Sequence, residues 1–292
     1  MSRGLGDVYK RQHFDMPMWL MARGGWESRE AIAAFAFYAQ TSFELFGDLV
    51  KKWTTFNEPL VHVECGYLHQ YHYPAVVDFK RAVQVAYHTL LAHKAAVAKF
   101  RNALPSGEIG IILNISPTYP KSEATADMLA ARRSDLLNTR SFLDPAVLGT
   151  IPDELVALLS ENELLPVTKP EDQALIKDHI VDFIGLNYYQ PRRVQAPTAP
   201  KTPAQMPADF YQPYDWPAKK INPHRGWEIY PKALYDVAMM MKNDYHNMPW
   251  YVSENGMGVA NEEAFMADNG EIQDDYRCLL YTSPSPRDMR RS

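Results

Sequence analysis

Short apolar runs alternate along the chain with longer stretches in which apolar residues recur every three or four positions. In residues 28–46, Ile32, Phe35, Tyr38, Phe43 and Phe46 keep helical spacing, and Gly47 closes the segment. Trp53, Thr54, Thr55 and Phe56 favour extended backbone, and Pro59 cannot donate to a ladder, so a strand is predicted to stop just before it. Residues 60–75 are aromatic and rich in histidine, which predicts a loop or a broken helix. A long amphipathic helix is predicted over 79–100. The unbroken apolar run Ile109-Gly110-Ile111-Ile112-Leu113 predicts a parallel strand covered on both faces. Helices follow over 122–138 and 153–162, the second behind Pro152. A strand over 181–186, a long surface loop over 195–222, a helix over 231–245 and a strand over 250–253 complete the pattern. Strand and helix in alternation are the mark of an α/β fold with a parallel sheet and right-handed crossovers.

Two of these strands run into a glutamate. Residues 53–59 read Trp-Thr-Thr-Phe-Asn-Glu-Pro, and residues 250–256 read Trp-Tyr-Val-Ser-Glu-Asn-Gly. In a parallel α/β barrel the carboxyl ends of the strands carry the chemistry. Two carboxylates at two strand ends is what cleavage of a glycosidic bond needs: a proton for the leaving oxygen and negative charge against an oxocarbenium-like transition state. A chain of 292 residues with 46% hydrophobic content is long enough for one barrel, and equally for two smaller domains. The net charge of −5, without a long basic run, disfavours nucleic acid as a partner. Cys65 and Cys278 provide no disulfide framework, which suits a reducing compartment. No apolar run is long enough for a membrane span and no leader peptide opens the chain, so no membrane partner and a cytoplasmic location are expected.

Thr55-Phe56-Asn57-Glu58-Pro59 and Ser253-Glu254-Asn255-Gly256 resemble the acid/base and nucleophile signatures of glycoside hydrolase family 1. His13-Phe14-Asp15-Met16-Pro17 and residues 182–189, Asp-Phe-Ile-Gly-Leu-Asn-Tyr-Tyr, match two more motifs in the family's order. The resemblance runs from His13 to about Arg277. It implies a (β/α)8 TIM barrel, incomplete, lacking the first strands and the last. It implies Glu58 as general acid/base and Glu254 as nucleophile of a retaining mechanism, with carboxyl groups about 5–5.5 Å apart. It further implies Asn57 on the sugar 2-hydroxyl, Tyr189 donating to the nucleophile, Asn187 lining the pocket and His13 on the 3-hydroxyl. No cofactor and no metal are expected. Residues 1–12 and 278–292 resemble translated sequencing-adapter sequence and are read as non-native tails around a partial barrel over 13–277. A barrel lacking staves exposes edges and apolar surface, so this chain alone is expected to aggregate or fold loosely and to have little activity.

Within the family, Phe14 after His13, where many plain β-glucosidases carry Trp, points to a 6-phospho-β-glucoside as substrate. Residues 214–230 and 254–263 point the same way. A plain β-glucosidase is the first competing reading, and a non-catalytic sugar-binding relative the second. His62, Glu64, His69 and His72 invite a metal reading, but their spacing matches no zinc motif. Trp227 is read as barrel packing before a sugar platform, and Met239-Met240-Met241 as core filling.

Overall fold

The structure is a computed structural model that describes residues 15–273 and residue 275. In chain order the elements are α1 (Met18–Met21), α2 (Glu30–Phe46), β1 (Lys52–Asn57), α3 (Pro59–Tyr67), α4 (Phe79–Ala103), β2 (Glu108–Asn114), β3 (Thr118–Pro120), α5 (Thr125–Asp135), α6 (Ser141–Leu148), α7 (Asp153–Glu161), α8 (Pro170–Asp178), β4 (Phe183–Asn187), β5 (Arg192–Gln195), β6 (Gln212–Pro213), α9 (Lys232–Asp244) and β7 (Trp250–Glu254). They divide into two compact units. Of the described residues, one comprises those up to Leu113 together with Phe142–Phe183, and the other Asn114–Ser141 together with those from Ile184 on.

In the first unit β1 lies parallel to β2, and α4 packs against α2. Asp78 caps α4 by accepting from the Arg81 N–H at 3.0 Å, which satisfies one of the helix's open donors. Val85, Leu91, Ala92 and Phe100 of α4 are fully buried with Ile109 and Ile111 of β2. Phe43 of α2 meets Trp53 and Phe100 edge-on, at centroid distances of 5.0 and 5.2 Å. A Cβ on Gly110 of β2 would lie 2.5 Å from the Phe183 ring and 2.6 Å from its carbonyl oxygen, so only glycine allows this approach. Lys94 is wholly buried and donates to the carbonyls of Pro145, at 2.5 Å, and His179, at 2.8 Å, near the C-terminal ends of α6 and α8. Large apolar side chains remain exposed on α2 and after it, Phe37 at 72% and Leu49 at 80%.

In the second unit β4 lies parallel to β7. A separate small sheet joins β3 parallel to β5, and β5 antiparallel to β6. Arg193 of β5 makes a bidentate pair with the buried Glu228, at 2.7 and 2.6 Å, and its guanidinium lies 3.9 Å from the Trp216 ring centroid. This pairing ties the proline-rich stretch to the strand before it.

Several predicted elements are redrawn. The loop expected over 195–222 contains β6 and a 3-10 turn at Pro207–Asp209 and begins at the end of β5. Backbone pairing over two to four residues carries that sheet, and such short strands leave no period. The broken helix expected over 60–75 is instead regular from Pro59 to Tyr67, because proline at the first helical position is preorganised for it. The helix expected over 122–138 starts at Thr125, widens into a π-turn over Leu136–Arg140 and continues as α6. α8 has no counterpart among the predicted elements.

Candidate active site

Glu58 lies in the first unit, at the junction of β1 and α3. Thr54 stands opposite Gly110, but Asn57 stands opposite Ile112, so β1 carries one residue more than β2. That residue makes a β-bulge, which re-aims the side chains after it. The Glu58 N–H then donates to the Ile112 carbonyl at 2.9 Å. Glu58 itself takes a left-handed conformation, φ 49° and ψ 58°, and serves as the N-cap position of α3, with Pro59 behind it. A non-glycine residue holds that conformation at a strain of roughly 1–2 kcal/mol. Both Asn57 and Glu58 are half-buried, neither sealed in the core nor fully in water.

Within the irregular segment, Thr55 Oγ1 lies 2.7 Å from His93 Nδ1 of α4. His93 is completely buried, and burial, with Lys94 beside it, holds its imidazole neutral well below the usual histidine range. Nothing in the sequence marks this residue, because a lone His on a helix carries no signal.

Glu254 lies in the second unit, at the end of β7. The ladder with β4 runs Leu186 opposite Val252, then Asn187 opposite Glu254, so β7 too carries an extra residue at its glutamate end. Several bonds join residues 253–255 to residues 187–189. Ser253 Oγ donates to Asn187 Oδ1 at 2.7 Å, and the Tyr188 N–H donates to the Glu254 carbonyl at 3.0 Å. Asn255 Nδ2 donates to the Tyr188 carbonyl at 2.6 Å, and the Tyr189 hydroxyl donates to Glu254 Oε2 at 2.5 Å. A phenol donating to a carboxylate stabilises its ionised form and fixes its orientation. Glu254 is half-buried, and Asn187 is completely buried.

Beside this cluster is a cavity of about 30 Å³, room for roughly two waters. Tyr188, Tyr189, Trp227, Glu228, Asn255 and Gly256 are among its walls. The Tyr189 and Trp227 ring centroids are 5.4 Å apart, so Trp227 borders the site as well as packing in the fold.

The structure thus brings Asn187, Tyr189 and Glu254 together in one unit, and places Asn57 beside Glu58 in the other. His13 lies outside the described residues. Burial, and His72 after it, push the His62 imidazole down to about 4. Among the described residues no group of three His, Cys, Asp or Glu is arranged to hold a metal ion. No helix among them is long and apolar enough to cross a membrane.

The sequence profile of Glycosyl hydrolase family 1 fits residues 4–283, and the chain belongs to that family. Its fold is accordingly a partial (β/α)8 barrel.

Among curated proteins, it is 50% identical to the 6-phospho-beta-glucosidase GmuD of Bacillus subtilis, over 94% of this chain and 60% of that protein. It is 33% identical to a beta-glucosidase of Agrobacterium sp., over 96% of this chain and 58% of that protein. Among solved structures, a family 1 β-glucosidase of Thermotoga maritima superposes with a TM-score of 0.80 at 32% identity, over 94% of this chain and 58% of that one. The virulence factor SghA of Agrobacterium tumefaciens, solved also with the substrate analogue salicin, gives the same TM-score and identity. The chain therefore spans about 60% of the length of the curated relatives it matches.

Proposed function

We propose that this chain carries the catalytic carboxylates of a retaining β-glycosidase that hydrolyses 6-phospho-β-glucosides. The observation that carries the reading is the Tyr189 hydroxyl on Glu254 Oε2 at 2.5 Å, which keeps a strand-end carboxylate ionised and aimed, as a nucleophile requires. In the first step Glu254 attacks the anomeric carbon while Glu58 gives its proton to the leaving oxygen. In the second step water, giving its proton to Glu58, releases the sugar from the ester on Glu254. Glu58 can serve both steps because esterification of Glu254 removes the negative charge that keeps Glu58 protonated. Asn57 and His13 are assigned to the sugar hydroxyls, and Asn187 to the pocket around them. The mechanism requires the two carboxyl groups to face one another at about 5–5.5 Å.

Two relatives bear on the substrate. The 50% identity is to a protein named for a phosphorylated substrate, against 33% to one named for the plain glucoside. A phosphorylated glucoside exists where uptake has phosphorylated it, which assigns the enzyme to the cytoplasm. The solved β-glucosidases at 31–32% identity favour the plain glucoside as the second reading.

The test uses the fluorogenic pair 4-methylumbelliferyl β-glucoside and its 6-phosphate, at high enzyme concentration because turnover in a chain of this span is expected to be slow. Release from the phosphate should exceed release from the plain glucoside by more than about tenfold. Glu254→Ala should reduce it by roughly four orders of magnitude. Faster release from the plain glucoside overturns the substrate, and undiminished release by Glu254→Ala overturns the nucleophile.

A further inference from the structure

Glu254 is flanked by two side chains that reach across to the end of β4 and to the residue just after it. Ser253 binds the side chain of Asn187, whereas Asn255 binds a backbone carbonyl, that of Tyr188. That carbonyl belongs to the peptide joining Tyr188 to Tyr189, and its plane sets the direction in which Tyr189 leaves the backbone. The phenol oxygen is the far end of this lever, so a small rotation of the peptide carries the hydroxyl away from the carboxylate.

Two further contacts hold Tyr188 away from that peptide. Its N–H bonds the Glu254 carbonyl at 3.0 Å, and its hydroxyl donates to the Tyr230 carbonyl at 2.8 Å. Its side chain is buried, at 4% exposure. Of the bonds described, the 2.6 Å contact from Asn255 Nδ2 acts on the peptide that carries Tyr189. The extra residue in β7 explains why a side chain is used. At the bulge the regular alternation of backbone donors and acceptors is interrupted, and the Asn255 amide bridges the two loops just past that point.

We propose that Asn255 is a positioning residue: through the Tyr188 carbonyl it holds the Tyr189 hydroxyl on Glu254 Oε2. The inference rests on the reading of Glu254 as the nucleophile, and goes beyond it by assigning the residue that keeps the nucleophile's donor in place. Asn255 acts through Tyr189 and touches no reacting atom.

The test reads the Glu254 carboxyl directly, without turnover. The full chain is labelled with glutamate carrying ¹³C at the side-chain carboxyl, and the Glu254 signal is assigned by its loss in Glu254→Gln. Tyr189→Phe removes the donor, and should move the Glu254 midpoint upward by about one pH unit. Asn255→Ala should move it up by a comparable amount, and the double variant no further than either alone. Asparagine and alanine are both neutral, so no new charge contributes to the shift. Asn255→Leu, which keeps the volume without the donor, is read in the same way where the alanine variant does not fold.

A Glu254 titration in folded Asn255→Ala or Asn255→Leu that superposes on the parent overturns the proposal. So does a shift that adds in full to that of Tyr189→Phe. Loss of folding in both Asn255 variants, with Tyr189→Phe still folded, also overturns it, because the role is then structural. Faster release from the plain glucoside than from its 6-phosphate, with the coupled titration shifts intact, would sink the proposed substrate and leave this inference standing.

Discussion

The backbone at Glu58 yields a prediction that separates strain from chemistry. Glu58 sits at φ 49° in the left-handed region, where a non-glycine residue is held at roughly 1–2 kcal/mol. Replacing it by alanine and by glycine removes the carboxylate equally, so both variants should lose hydrolysis. Their stabilities should differ. Glycine relieves the left-handed strain and is also tolerated at a helix N-cap, where alanine is disfavoured by about 0.5–2 kcal/mol. Against this, glycine loses about 0.4–1 kcal/mol more chain entropy on folding than alanine. The balance favours Glu58→Gly over Glu58→Ala by about 2 kcal/mol, or roughly 4–8 °C in Tm. Urea unfolding of both variants, followed by circular dichroism with matched slopes, measures the difference. An alanine variant as stable as the glycine variant would refute the claim that strain is stored at this residue.

Other changes test the surroundings. Gly110→Ala places a methyl 2.5 Å from the Phe183 ring and 2.6 Å from its carbonyl oxygen, which cannot swing aside, so destabilisation of about 1–3 kcal/mol is expected in urea melts. Lys94→Met keeps the apolar stem but removes the donor to the His179 carbonyl, and should destabilise by about 1–3 kcal/mol in the same assay. Burial lowers both His93 and His62 below the ordinary 6.5, His62 to about 4. Below pH 6.5 the unfolded chain therefore binds protons that the folded chain does not. Stability should fall as pH drops from 6.5 towards 4, and His93→Gln should flatten the slope of Tm against pH in that window.

The elements legible in the sequence have either a long period or a dense local signal. α2, α4, α7 and α9 announce themselves by recurring apolar positions, and β2 by an unbroken apolar run. Glu58 and Glu254 stand out because strand-forming residues run straight into a carboxylate and then into proline or asparagine-glycine. α6 is hidden by Pro145 within it, which ordinarily argues against a helix. β3, β5 and β6 are two to four residues long, and their pairing is written in backbone bonds that no side-chain pattern reports. The contact between His93 and Thr55, 38 positions apart, is likewise a product of packing.

The bulges are the least legible feature, and they bear most on the site. A regular strand alternates its side chains between two faces, so its last residue points wherever the alternation leaves it. Adding one residue on the glutamate-bearing strand shifts every later side chain by half a period and lets the carboxylate be aimed independently of the core pattern before it. In each unit the partner strand stays mostly or wholly buried, β2 under its apolar run and β4 at all five positions. The irregularity is therefore absorbed on the strand that carries the acid. Of the side chains at the bulges, Ser253 and Asn255 bond across to Asn187 and Tyr188, and Thr55 bonds to His93 of the packed helix α4. On this view the residues flanking each glutamate stabilise a break in the ladder, and the proposed role of each carboxylate depends on the irregularity of its own strand.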